Sequence, residues 1–231
     1  MIPKLLFVPN KKELRAGLIY MLLEMLVLPT VLVLASMLLL PEPVSDTVLN
    51  IVYFILNFLV TVLIFRKFIR HTLSSVSLCD KSIPGSAAIG FLIYYLGNIL
   101  VNMVVLSLDP EFLNVNDENI TAMAAEHFGL MALCGVLLVP ITEELLFRGV
   151  LFAGLYNRSR SLAFGVSTAV FCVIHVTAYI GLYPPQTLLL CLLQYIPAGL
   201  ALGFSYARSG SILAPMLLHI CINGIGMLVM R

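Results

Sequence analysis

Ionisable side chains that could carry out chemistry occur in the second half of the sequence, within segments that are otherwise apolar. Glu143 and Glu144 are adjacent, and Arg148 follows them. His175 and His219 lie in two later apolar segments. A charged side chain at the centre of a bilayer costs about 2.5 to 3.5 kcal/mol, so such groups are usually paired and functional. Carboxylates and imidazoles are common general bases, and the residue types therefore indicate a hydrolytic site that activates water.

The spacing of these residues places some of them on shared helix faces. Glu144 and Arg148 are four residues apart, so on a helix they can form an ion pair that keeps Glu144 ionised. Glu143 points about 100° away from Glu144 on an α-helix and is therefore expected to face a different neighbour. At a rise of 1.5 Å per residue, Glu144, His175 and His219 lie about 21, 26 and 17 Å along their helices from the nearest cytoplasmic turn. These similar depths predict one polar site formed by three helices, in the cytoplasmic half of the membrane.

Long apolar segments must position these groups. The 231 residues are 61% hydrophobic and 11% charged, whereas soluble proteins are about 45 to 50% apolar and about 25% charged, so a soluble domain is excluded. Segments near 20 residues can span a bilayer, and seven are present. They are residues 16–40, 48–65, 86–108, 128 to about 147, 162–180, 187–206 and 212–230. The sequence therefore predicts an all-α, polytopic transmembrane helical bundle of about seven spans, with eight as the alternative. Gly199 and Gly203 are small residues four positions apart in the span 187–206, and this spacing predicts that the span packs closely against a neighbouring helix.

The positions of Lys and Arg predict the orientation of the bundle, because short cytoplasmic loops retain positive charge. The basic loop residues fall on one side of the seven spans. They are Lys4, Lys11, Lys12, Arg15, Arg66, Lys67, Arg70, Lys81, Arg158, Arg160 and Arg208. The N-terminus is therefore predicted to be cytoplasmic, and the short loops are typical of a bacterial plasma-membrane protein. A net charge of +1 provides no basic surface for nucleic acid, so that class of partner is excluded.

Three motifs in the late spans resemble those of the CPBP family, which comprises CAAX prenyl endopeptidases and bacteriocin-processing enzymes and is also called the Abi family. The motifs are Glu143-Glu144-x-x-x-Arg148, Phe171-x-x-x-His175 and His219-x-x-x-Asn223. The resemblance covers residues 128–231 and implies an intramembrane protease. The residues that it implies to be catalytic are Glu143, Glu144, Arg148, His175, His219 and Asn223.

The resemblance and the spans together predict how the chain is divided. The divisions are 1–15, a cytoplasmic N-terminal segment; 16–108, three N-terminal transmembrane helices; 109–127, an extracytoplasmic acidic loop; and 128–231, a CPBP-like catalytic helical core. Glu24 is alone in the first span, where we interpret it as a snorkelling or helix-pairing carboxyl.

Two mechanisms are compatible with the residue set. In a metal-free mechanism Glu143 activates a water that His175 shares, while His219 and Asn223 stabilise the oxyanion. In a metallo-type mechanism Glu143, His175 and His219 bind zinc and leave one position open for water. The sequence leaves both mechanisms open.

Three functions are compatible with these motifs. The first is an endopeptidase that cleaves a peptide or membrane-protein substrate near the cytoplasmic face of the lipid bilayer. The second is a non-catalytic bacteriocin immunity or peptide-binding protein with the same fold. The third is a small transporter, which is disfavoured because the polar groups are confined to one half of the chain. The sequence makes no prediction about the oligomeric state.

Overall fold

The structure is a computed structural model that describes residues 5–75 and 82–229, and within these ranges it consists of helices and their connections. Lys4 and Lys81, which contribute to the predicted orientation, lie outside the described residues. The helices are α1 (Lys11–Leu26), α2 (Leu28–Leu39), α3 (Asp46–Ile64), α4 (Arg66–Ser75), α5 (Ser82–Leu108), α6 (Val115–Tyr156), α7 (Arg160–Thr177), α8 (Pro185–Ser209) and α9 (Leu213–Val229).

The helices confirm the predicted fold class. Helices α3, α5, α6, α7 and α8 are long and apolar enough to cross a membrane, and α9 is a shorter apolar helix. The predicted first span is not one straight helix, because α1 and α2 meet at an angle of 51°. The break is at Val27, and Pro29 occupies the first turn of α2, where its missing N–H is not needed. The chain is an integral membrane protein, and the predicted count of about seven spans is compatible with these helices.

The predicted loop over 109–127 is helical from Val115 onward, which corrects the sequence interpretation. The Asn114 side chain caps this helix by accepting a hydrogen bond from the Asn116 N–H. Asp117 and Glu118 occupy the first turn, where negative charge interacts favourably with the helix dipole. The charges that suggested a loop therefore stabilise the beginning of a helix. The backbone of His127 departs from helical geometry (φ −140°, ψ 63°), so α6 changes direction there.

Helix α6 contains two wider, π-helical stretches around the predicted site. They are Cys134–Leu138 and Glu144–Phe152, separated by the α-helical turn Val139–Glu143. The α-helical turn contains Pro140, which lacks an N–H and cannot make the regular helical hydrogen bond. Such π-bulges are frequent at functional sites. Glu143 and Glu144 therefore lie at the boundary between two helical geometries.

Helix α8 packs closely against its neighbours at two glycines. A Cβ atom on Gly199 would lie 2.6 Å from Cγ2 of Thr168 on α7. A Cβ atom on Gly203 would lie 3.1 Å from the rings of Phe152 and Phe164. The predicted close approach at this pair of glycines is confirmed, and it brings α6, α7 and α8 together around the core.

Replacing Gly199 with alanine is expected to lower the free energy of unfolding by about 1 to 3 kcal/mol, because the new methyl group would overlap Thr168. Gly165→Ala on α7 is the matched control, since a Cβ atom there meets no described atom within 4 Å. Alanine at that position should be neutral or should stabilise the helix by up to about 1 kcal/mol. Chemical unfolding in mixed micelles, followed by circular dichroism, measures both variants. Equal stability of the two would contradict the close packing.

Candidate active site

Glu144 and Arg148 form a buried ion pair, as their spacing predicts. Nη1 of Arg148 lies 3.1 Å from Oε1 of Glu144, and both side chains are fully buried. Nη2 of Arg148 donates a hydrogen bond of 3.3 Å to the Gly199 carbonyl of α8. The guanidinium carbon also lies 4.6 Å from the centre of the Phe171 ring on α7. Arg148 therefore links α6 to both neighbouring helices and neutralises Glu144.

His219 of α9 contacts both carboxylates of the first motif. Its Nδ1 lies 2.9 Å from Oε1 of Glu144, and its Nε2 lies 3.8 Å from Oε2 of Glu143. Glu143 lines the cavity whereas Glu144 is buried against Arg148, but the two carboxylates share His219 as a neighbour, which the expectation of different neighbours did not include. One imidazole can contact both carboxylates because its two nitrogens lie on different edges of the ring.

The Nδ1 contacts of the two histidines indicate where their protons lie. Nδ1 of His175 is 2.7 Å from the Phe171 carbonyl oxygen, which can only accept, so Nδ1 carries a proton. Nδ1 of His219 faces the carboxylate that Arg148 neutralises and therefore also donates. In a neutral ring Nε2 is then the basic nitrogen. The His175 ring also packs against the Tyr195 ring of α8, with ring centres 4.2 Å apart and an interplanar angle of 30°.

Four of the six predicted site residues line one cavity of about 360 Å³. They are Glu143, His175, His219 and Asn223. Glu144 and Arg148 are fully buried and do not line the cavity, so they lie behind the residues that form its wall. Oε2 of Glu143 is buried and accepts no hydrogen bond within the described residues. The structure thus places a carboxylate oxygen that lacks a hydrogen-bond donor in a cavity that both imidazoles also line.

Asn223 lines the same cavity but is partly engaged. Its Nδ2 donates a hydrogen bond of 2.8 Å to the carbonyl of Gly135, which lies in the first π-helical stretch of α6. A side-chain amide has two N–H donors. The second N–H of Asn223 is therefore the group that could donate to a bound substrate.

A second wall of the cavity is formed mainly by neutral amides, together with the Asp117 carboxylate. The sequence interpretation did not consider these amides, because it searched the spans for ionisable groups and included Asn223 only through its motif. This amide arm consists of Asn98, Asn102, Asn114, Asn116 and Gln194. Asn98 and Asn102 are four residues apart on α5, a spacing that could have indicated a polar helix face.

Hydrogen bonds within the amide arm connect three helices. Nδ2 of Asn114 donates to Oε1 of Gln194, and Nε2 of Gln194 donates to Oδ1 of Asn102, each at 2.8 Å. The hydroxyl of Tyr195 donates to Oδ1 of Asn114 at 3.3 Å. These bonds attach the beginning of α6 to α5 and α8. The Asn98 side chain makes no hydrogen bond within the part of the chain that the structure describes, so its amide is available to a ligand.

The zinc-binding set that the sequence suggested is not assembled. Over residues 5–75 and 82–229, no group of three His, Cys, Asp or Glu side chains is positioned to hold a metal ion. Glu143 and His219 approach within 3.8 Å, but His175 does not complete a three-ligand site with them. The donor arrangement therefore does not fit a three-ligand metal centre.

Glu24 lies outside the cavity lining and pairs with a neighbouring helix. Its side chain is 5% exposed, and its Oε2 accepts a hydrogen bond of 3.2 Å from the Tyr53 hydroxyl on α3. The helix-pairing interpretation of this carboxyl is confirmed. The snorkelling interpretation is wrong, because the side chain is buried and does not reach the membrane surface.

Comparison with known proteins agrees with the motifs. Residues 125–225 match the family model described as type II CAAX prenyl endopeptidase, Rce1-like. The resemblance of this part of the chain to the CAAX prenyl endopeptidases is confirmed. All six predicted site residues lie within the Rce1-like segment.

A 95-residue alignment also relates the chain to a protein of Bacillus subtilis (strain 168) described as "Putative membrane peptidase YdiL", with 30% identity. It covers 41% of this chain and 34% of the relative, so the chain spans about a third of the relative's length. No solved structure matches the chain.

The Rce1-like segment contains only part of the cavity wall. It begins at residue 125, just before the change of direction at His127, and extends into α9. Gln194 of the amide arm lies inside it. Its partners Asn102 and Asn114 precede it. The cavity therefore combines the motif residues of the Rce1-like segment with amides from the preceding part of the chain.

Proposed function

We propose that the chain is an intramembrane endopeptidase that hydrolyses a peptide bond with water activated by glutamate and histidine. The observation that carries this proposal is the cavity in which Glu143, His175 and His219 meet. A carboxylate oxygen without a hydrogen-bond donor is suited to take a proton from water. The fully buried Glu144–Arg148 pair holds His219 in place through Nδ1.

In the proposed reaction Glu143 removes a proton from a water molecule, assisted by the basic Nε2 of His175. The resulting hydroxide attacks the carbonyl carbon and forms a tetrahedral intermediate with a negatively charged oxygen. This oxyanion accepts hydrogen bonds from the free N–H of Asn223 and from Nε2 of protonated His219. When the intermediate collapses, the C–N bond breaks, and Glu143 returns the proton to the leaving nitrogen.

His219 lies between the two carboxylates. Its Nδ1 is 2.9 Å from Oε1 of Glu144, and its Nε2 is 3.8 Å from Oε2 of Glu143. In the metal-free mechanism His219 carries a proton on Nε2 when the oxyanion forms and donates it in a hydrogen bond to that oxygen.

The substrate of this proposal is a peptide or membrane-protein segment in the lipid bilayer. Side-chain amides present both donors and acceptors, as a peptide backbone does. The amide arm therefore fits an extended polypeptide better than an isoprenoid group, although prenyl substrates are named in the description of the matching family. The proposal places the enzyme in a bacterial plasma membrane with a cytoplasmic N-terminus, which the distribution of basic residues supports.

Comparing the membrane peptidomes of cells that produce the wild type or Glu143→Ala tests this function. Peptides generated by the wild type should be absent with Glu143→Ala and present with Glu42→Ala, which removes an exposed carboxylate between α2 and α3. Mass spectrometry of membrane and culture fractions provides the measurement. Identical peptidomes would instead favour the non-catalytic immunity or peptide-binding function.

A further inference from the structure

Three cations on α4 line a concavity on the surface of the protein. They are Arg66, Lys67 and Arg70. All three side chains are exposed, and no carboxylate within the described ranges forms an ion pair with them. The concavity is therefore positively charged, and its charge is not neutralised by the described part of the protein.

Helix α4 is attached to the rest of the protein through its buried face. Oε1 of Glu13 accepts a hydrogen bond of 2.9 Å from the Phe68 N–H in the first turn of α4. Oε2 of Glu13 accepts from the Asn10 N–H at 3.0 Å. Phe68 and Thr72 are buried on this side. Both oxygens of Glu13 are thus used by N–H groups, and the backbone of α4 that carries the cations is attached to α1.

The position of α4 relative to the spans places the cations at the membrane surface. Helix α3 is one of the apolar spans, and α4 begins two residues after its end. Leu63 at the end of α3 is 63% exposed, and Leu73 on α4 is 60% exposed, as expected for side chains that contact lipid. A short helix with apolar and cationic faces beside a span lies where phospholipid headgroups are found.

We propose that the concavity formed by Arg66, Lys67 and Arg70 binds the phosphate headgroup of an anionic phospholipid. Guanidinium groups bind phosphate oxygens through paired hydrogen bonds, and the lysine adds a point charge. The rigid attachment of α4 reduces the entropy lost on binding. This binding site is independent of the proposed peptidase activity.

Neutralising the three cations together, as Arg66→Gln/Lys67→Gln/Arg70→Gln, tests the proposal. Each cation near an anionic surface contributes about fivefold to affinity, so the triple variant should bind labelled phosphatidylglycerol at least about tenfold more weakly than the wild type. Binding is measured by fluorescence anisotropy with purified protein in uncharged micelles. Labelled phosphatidylcholine should bind weakly and equally to both proteins.

Two further variants separate a local site from a general effect of charge. Lys11→Gln/Lys12→Gln/Arg15→Gln removes three exposed cations from α1 and should change affinity by less than about threefold. Arg66→Lys/Arg70→Lys keeps the charge but removes the paired guanidinium hydrogen bonds, so its affinity should lie between those of the wild type and the neutral triple variant. Equal losses in the α1 and α4 triple variants, or undiminished binding by the α4 variant, would overturn the proposal.

Discussion

Replacing Glu143 with glutamine is expected to reduce peptide cleavage by about a hundredfold to ten-thousandfold. Glutamine preserves the size of the side chain but cannot take a proton from water, and general base catalysis contributes about 10² to 10⁴ in rate. The rate is measured with purified protein in bilayer discs and a labelled peptide whose sequence comes from the peptidome comparison. Because only the proton acceptor is lost, binding of the same peptide should change by less than about tenfold.

A matched control for this prediction is Glu24→Gln, which neutralises another buried carboxyl. Glu24 contacts Tyr53 and does not line the cavity, so this variant should keep at least about a third of the wild-type rate. If Glu143→Gln cleaved as fast as the wild type, Glu143 would not be the base. Equal losses in the two variants would indicate a general effect of removing buried carboxylates.

Replacing Arg148 with leucine is expected to lower the free energy of unfolding by about 3 to 5 kcal/mol. The substitution leaves the fully buried Glu144 carboxylate without its cation, and removing one partner of a buried ion pair is costly. It also removes the hydrogen bond to the Gly199 carbonyl. Unfolding in mixed micelles with increasing denaturant, followed by circular dichroism, measures the change.

Two comparisons make the Arg148 prediction specific. Arg158→Leu removes an exposed cation from the connection after α6 and should change stability by less than about 0.5 kcal/mol. Adding Glu144→Gln to Arg148→Leu removes the unpaired charge and should recover at least about half of the lost stability. If Arg148→Leu were as stable as Arg158→Leu, the buried pair would not hold the site together.

The parts of the site that follow from local spacing could be predicted from the sequence. Glu144 and Arg148 are four residues apart, and their pairing depends only on both residues being helical. The apolar segments likewise predicted the helices, because in lipid the backbone must satisfy its own hydrogen bonds. The close approach at Gly199 followed from the small size of glycine.

The parts that depend on packing between distant segments could not be predicted. The contact of His219 with both Glu143 and Glu144 depends on how α9 packs against α6. The helix that begins at Val115 is rich in polar residues, so its composition resembled a loop. The amide arm was missed because neutral amides carry no charge that would identify them within a span.

The hydrogen bonds that attach Asn114 to Gln194 and Gln194 to Asn102 have a consequence for the evolution of such a protein. The wall that would select a substrate comes largely from residues before position 125, whereas the reacting groups come from residues after it. Under the proposed function, substitutions in the earlier helices would change which polypeptide is accepted without altering Glu143, Glu144, Arg148 and the two histidines. Recognition and chemistry can diverge at different rates within a single chain.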